Sequence, residues 1–149
     1  MTAPSDPSIV SSLAIGASVE EIARVSEWLN EMADGDDWPD RLRFGMELSV
    51  EEALANVISY GFAHVPHAPE IRIDYLHLPD TRVAVRIADN GTAFDPTAVV
   101  SPDMAEDVEG ARIGGHGVRL MRHFLDDISY ERADGENRLT LVARLGTAE

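Results

Sequence analysis

Neither cysteine nor lysine occurs anywhere in the 149 residues. Without cysteine there is no disulfide, no thiolate metal site and no cysteine nucleophile. Without lysine, a Gly-Lys-Ser/Thr phosphate loop is excluded, as are a eukaryotic-type protein kinase with its strand lysine and Schiff-base catalysis. Any phosphate bound by this chain must be met by backbone N–H groups, by arginine or by a metal ion. The N-terminal stretch MTAPSDPSIV has no basic leader, and no apolar run reaches the length of a membrane span. The expectation is a soluble, cytoplasmic protein that does not engage a membrane.

Positive charge is also scarce. Twelve arginines stand against 27 acidic residues, a formal net charge of −15. Such a field repels nucleic acid and anionic lipid, so neither is an expected partner. A basic protein surface suits it better, although acidity also serves solubility alone. The length and the 44% hydrophobic content fit one domain, 1–149, with a core of its own. Residues 1–7, with Pro4 and Pro7, read as a loose tail.

Periodicity then orders the chain. Ile9–Ile15 reads as a short strand. Ser18-Val-Glu-Glu21 has the form of a capping box and opens a helix with Val19, Ile22, Val25, Trp28 and Leu29 at helical spacing. A second helix runs from about Pro39 to Tyr60, with Leu42, Met46, Val50, Leu54, Val57 and Ile58 as its stripe. Gly61 and Pro66 end it. The match Ser49-Val-Glu-Glu52 lies inside this continuous pattern and starts nothing. Alternation at Ile71–Tyr75 and Val83–Ile87, joined by LPDT, gives a hairpin. A turn-rich segment covers Asp89–Gly115, a helix spans about Gly117–Leu125, and two strands near Ile128–Glu131 and Arg138–Leu145 are joined by ADGEN. The order β-α-α-β-β-loop-α-β-β predicts an α+β, two-layer sandwich: a mixed, mostly antiparallel sheet with helices on one face.

Three stretches carry candidate chemistry. Glu52 and Asn56 are four apart on one helix face, off the apolar stripe. A carboxylate can take a proton from a hydroxyl, and an amide oxygen can ligate a hard cation; a solvated helix face is the plain alternative. In RIADNGTAFDP, Asn90-Gly91 is a hairpin signal. However, the strand before it already has an upstream partner, the residues after it alternate poorly, and Pro96 removes a ladder donor. Asp89 therefore ends a strand and enters a long loop, with Gly91 allowing close backbone approach. Third, Gly114, Gly115 and Gly117 directly precede an apolar helix, where free N–H groups and the helix dipole favour phosphate; a flexible hinge is the alternative.

Together, ELSVEEALANVISYGF, IADNGTAFDP and GGHGVRLMRHFLDDISYER resemble the anti-sigma-factor serine/threonine kinases (RsbW/SpoIIAB type) of the GHKL ATPase superfamily, over about Ile9–Leu145. The resemblance implies that ATP and Mg²⁺ are the cofactors. Glu52 would be the general base toward a target serine, and Asn56 would hold Mg²⁺. Asp89 would accept from the adenine amino group, with Gly91 against the base and Ala93 beside it. Gly114, Gly115, His116, Gly117 and Val118 would form the phosphate-facing turn, without a catalytic role for His116. Thr140 would support the adenine site through Asp89 or water. Asp95–Ile113 would be an acidic ATP lid with Arg112 as its cation. The implied function is an ATP-dependent partner switch that phosphorylates a STAS-domain anti-anti-sigma protein on serine and binds a sigma factor, with precedent for a homodimer. Tyr60 departs from the family's usual histidine before glycine. That departure keeps a second function in view, a nucleotide-gated binding module without kinase activity. His64, His67, His77 and His123 lack metal-ligand spacing, and Trp28 and Trp38 read as packing residues.

Overall fold

Apolar residues at every second position of β2, β3 and β5 give the sheet one continuous apolar face, and the helical stripes cover it. The computed structural model describes residues 7–98 and 116–145. In chain order they form β1 (Ser8–Ile15), α1 (Glu20–Gly35), α2 (Asp40–Tyr60), β2 (Ile71–Leu78), β3 (Arg82–Asp89), a single 3-10 turn (Pro96–Ala98), α3 (His116–Phe124), β4 (Asp127–Ala133) and β5 (Glu136–Arg144). The sheet order is β1-β2-β3-β5-β4. Every pairing among these strands is antiparallel, so the sheet is not mixed.

The inner face of the sheet presents Ile71, Ile73, Tyr75, Val83, Val85, Ile87, Leu139 and Leu141. These pack against Val25 and Leu29 of α1, Leu42, Met46, Val50 and Leu54 of α2, and Met121 of α3 in one cluster. Burying this stripe stabilises the helices more than their propensity does. Tyr75 is fully buried, and its hydroxyl donates to the Asp36 carboxylate while accepting from Trp38 Nε1 at 3.1 Å. Trp28 Nε1 donates to Ser11 Oγ at 3.0 Å. Both tryptophans thus pack in the core with their single donor satisfied, as buried polar groups require.

α2 runs unbroken through Ser49-Val-Glu-Glu52, as the sequence pattern implies. The capping box at Ser18 does not form. Ser18 Oγ donates to Glu20 instead of accepting from a helix N–H, and Glu21 Oε1 reaches back to Gly16 N–H at 3.1 Å. The turn between β4 and β5 is shorter than ADGEN suggests. Asp134 and Gly135 alone make it, both with positive φ (56° and 76°), the two-residue hairpin that Asp-Gly favours.

Candidate functional site

The end of β3 and the start of β5 meet the C-terminal half of α2, and an open cavity of about 180 Å³ lies between them. Ile87, Leu139, Val57, Ala53 and Met121 give it apolar walls, and Thr92, Ala93 and Phe94 close one side. Asp89 is the only carboxylate among the described lining residues, and Asn56, Tyr60, Tyr130 and Asn137 add polar edges.

Asp89 ends β3 and is 4% exposed. Its Oδ1 accepts two hydrogen bonds, from Gly91 N–H at 2.9 Å and from Asn137 Nδ2 at 3.0 Å. No protein group among the described residues donates to Oδ2, and yet that oxygen is not sealed from solvent. One oxygen is therefore fixed by the fold and the other is an acceptor left for a guest. Burial pushes the Asp89 carboxyl above its usual range, against the lowering effect of the Asn137 and Gly91 hydrogen bonds and the nearby Arg132 guanidinium; Glu136 pushes it further up. A buried acceptor in an apolar slot is matched by a flat apolar ring that carries an amino donor, so the slot and its acceptor fit adenine.

Asn137 holds this arrangement and escapes the sequence reading. Its Nδ2 donates to Asp89 Oδ1 and to Thr92 O at 2.8 Å, and its Oδ1 accepts from Tyr130 OH at 2.5 Å and Phe94 N–H at 3.2 Å. Four bonds leave the carboxamide one orientation. ADGEN read as a loop hides it; Asp-Gly as a two-residue turn puts Asn137 in strand register, directly opposite Asp89. Thr140 does not take the supporting role. It pairs with Arg86 and Ser129, three residues from Asn137, and an odd offset places it on the other face of the sheet.

Asn90-Gly91 is not a hairpin turn. Neither residue has positive φ, and Asn90 instead ties to the start of β2: its N–H donates to Glu70 O and its Oδ1 accepts from Glu70 N–H. Gly91 does not line the cavity. A Cβ there would sit 2.5 Å from Gly61 O and 3.0 Å from Asp89 Oδ1. The close approach it permits is to the end of α2, where Thr92 N–H donates to Gly61 O at 2.8 Å. Arg132 NH1 donates to Gly91 O at 2.8 Å from the other side.

The other residues singled out by the sequence are divided between the cavity and its surroundings. Asn56 and Ala93 line the cavity. Glu52 lies one turn before Asn56, half-buried, outside the cavity lining and without a hydrogen-bond partner among the described residues. His116, Gly117 and Val118 form the first turn of α3. Gly114, Gly115 and Arg112 lie outside the described residues, as do 99–113 of the lid segment. No group of three or more His, Cys, Asp or Glu side chains able to hold a metal occurs among the described residues. No helix among them is long and apolar enough to cross a membrane.

The class that this fold and pocket define is the two-layer α+β ATP-binding sandwich. Residues 15–143 match the histidine kinase-like ATPase domain, and the chain belongs to that family. It is 47% identical over 118 residues to serine/threonine-protein kinase BtrW of Bordetella bronchiseptica, covering 78% of this chain and 80% of that protein. Serine-protein kinase RsbW of Listeria monocytogenes is 34% identical over 94 residues, covering 60% of this chain and 59% of that protein. A crystal structure of RsbU and RsbW domains from Mycobacterium tuberculosis superposes with a TM-score of 0.64 at 15% identity, over 91% of this chain and 33% of that one, a likeness of fold alone.

Proposed function

We propose that this protein is an ATP-dependent serine/threonine kinase that works as a partner switch, phosphorylating a STAS-domain anti-anti-sigma protein on serine and binding a sigma factor. The observation that carries the reading is the divided carboxylate of Asp89, with one oxygen locked by Asn137 and Gly91 and the other, in an apolar slot, accepting from no described protein group. The kinase names of the relatives support the reaction class.

In this reading Asp89 Oδ2 accepts a hydrogen bond from the adenine amino group, and the slot between Ile87, Val57 and Met121 holds the ring. Asn56, on the cavity wall and with no amide partner among the described residues, would hold Mg²⁺ through its oxygen. A hard cation that keeps water and phosphate oxygens as its other ligands needs few from the protein. When bound, Mg²⁺ would neutralise phosphate charge, which a lysine-free chain of net charge −15 cannot do with lysine. Glu52, one turn away and without a hydrogen-bond partner among the described residues, would take the proton of the attacking serine hydroxyl. The N–H groups at the start of α3 would face the phosphates, with the helix dipole adding to their effect.

A homodimer fits the same reading. β1 is an edge strand, and Ile9 and Val10 on it are 56% and 47% exposed; sedimentation velocity distinguishes dimer from monomer.

The test is transfer of the γ-phosphate from Mg-ATP to serine on a STAS protein, wild type against Glu52→Gln. The expected outcome is phosphoserine formation that falls by roughly 10²–10⁴-fold in the variant, with Mg-ADP binding unchanged. Equal rates would remove Glu52 from the mechanism. Mg-ADP binding with no phosphoserine under any condition would leave the protein a nucleotide-gated binding module.

A further inference from the structure

The face of the sheet that carries no helix among the described residues has a different character from the rest of this acidic molecule. Arg72, Arg82, Arg86, Arg138 and Arg144 share that face by strand register, five of the twelve arginines in the chain. Three of them are neutralised within the sheet. Arg72 and Arg86 converge on the buried Asp74 at 3.3 and 3.0 Å, and Arg138 meets Glu131, Asp134 and Glu136 at 3.1–3.5 Å.

Arg82 and Arg144 are different. They are directly opposite each other on β3 and β5, the only directly opposed like-charged pair in the register of the described strands. No carboxylate among the described residues lies within ion-pair distance of either guanidinium. Each donates only to a backbone carbonyl of the β2–β3 turn: Arg82 Nε to Pro79 O at 3.0 Å and Arg144 NH1 to Asp80 O at 3.4 Å. Like charges directly opposite on paired strands are destabilising. The chain has more than two carboxylates per arginine, and the Asp126 carboxylate accepts from the Arg144 backbone N–H at 2.6 Å and not from either guanidinium.

The turn beneath them is strained and pinned. Asp80 and Thr81 both have positive φ, 68° and 56°, and for a β-branched residue that is an outlier. Thr81 O accepts from Leu145 N–H at 2.8 Å, which ties the end of β5 to the turn. Strain held in place by surrounding structure is a mark of functional sites. Here it fixes two guanidiniums side by side, with the half-buried Leu78 adjacent in register.

We propose that Arg82 and Arg144 form a docking site for an acidic segment of a partner protein, whose carboxylates bridge the two guanidiniums. Paired N–H forks match carboxylate geometry, and both are held before the partner arrives. A polyanionic nucleic acid is disfavoured by the net charge of −15, which a short acidic segment meets over a smaller area. The site lies at the opposite end of β3 from Asp89, so its occupancy does not depend on the kinase assignment.

The test is titration of the full-length ¹⁵N-labelled protein with a hexaglutamate peptide at low salt, following the arginine side-chain Nε–H signals by NMR. The expected result is joint, saturable movement of the Arg82 and Arg144 signals, with affinity reduced about tenfold by Arg82→Gln or by Arg144→Gln. Neither substitution should lower Tm, because each removes like-charge repulsion, and stabilisation by Mg-ADP should be unchanged in both. No movement of these two signals would overturn the proposal. So would a fall in Tm with unchanged peptide affinity, which would make the pair a brace for the turn. Tighter binding of a short single-stranded RNA at the same residues would overturn the protein-partner assignment.

Discussion

At the scale of single residues, the candidate site rests on how the fold holds one carboxylate. Asn137 spends both amide hydrogens and its oxygen on fixing Asp89 Oδ1, Thr92, Phe94 and Tyr130. Asn137→Ala would leave Tyr130 OH and Thr92 O without that partner and free Asp89 to rotate. The expected outcomes are a loss of about 1–3 kcal/mol in stability by denaturant titration and weaker nucleotide binding by calorimetry. A variant as stable as wild type that binds ADP equally well would show that Asp89 is held by Gly91 alone. Asp89 is legible in the sequence because Pro96 downstream and the hairpin partner upstream argue against a strand return at Asn90-Gly91. Asn137 is not legible, because a five-residue polar stretch reads as a loop until Asp134-Gly135 is recognised as a complete turn. Thr140 stands out by resemblance alone, but side chains alternate along β5, so only residues an even number of positions from Asn137 can face Asp89.

At the scale of elements, the pocket depends on two close approaches. Gly91 lets the exit of β3 approach the Gly61 carbonyl at the end of α2. Gly45 does the same for α2 and α3: a Cβ on it would lie 2.3 Å from Phe124 Cγ. Glycine inside a helix costs about 1 kcal/mol relative to alanine, so its presence there marks a packing demand. Gly45→Ala is expected to destabilise by about 1–3 kcal/mol through overpacking and, by displacing α3 and Met121, to weaken Mg-ADP binding in the same preparation. A rise in Tm would mean that Phe124 yields freely. Helix and strand positions are readable from periodicity over nearly the whole described chain. The crossing contacts are not, since a lone glycine in a helical pattern does not say what it meets. The capping box fails for a similar reason: Glu20, inside the motif, offers the Ser18 hydroxyl a competing acceptor.

At the scale of the molecule, charge is distributed more unevenly than the net value of −15 suggests. Asp74, on the face of the sheet opposite the described helices, is 1% exposed. Burial pushes its carboxyl up, and hydrogen bonds from Ser12, Arg86 and Arg72 together with the Arg72 charge outweigh that, leaving it below the ordinary carboxylate range. A carboxyl lowered in the folded state stabilises above its unfolded value and loses that contribution as pH falls through the folded one. Asp74→Asn should therefore lower stability near neutral pH by about 1–3 kcal/mol, and its acid unfolding curve should be flatter than wild type. Identical acid limbs would place the lost protons elsewhere.

The central claim is that Asp89 Oδ2 reads an adenine amino group, and calorimetric titration with Mg-ADP and Mg-GDP, on wild type and Asp89→Asn, tests it most directly. Guanine would set a carbonyl acceptor against a carboxylate acceptor, a mismatch that polar sites reject strongly. The expected result is ADP binding by the wild type, GDP binding weaker by at least about 100-fold, and loss of that preference in a folded Asp89→Asn. Equal affinity for ADP and GDP in the wild type, or unchanged ADP binding by Asp89→Asn, would contradict it.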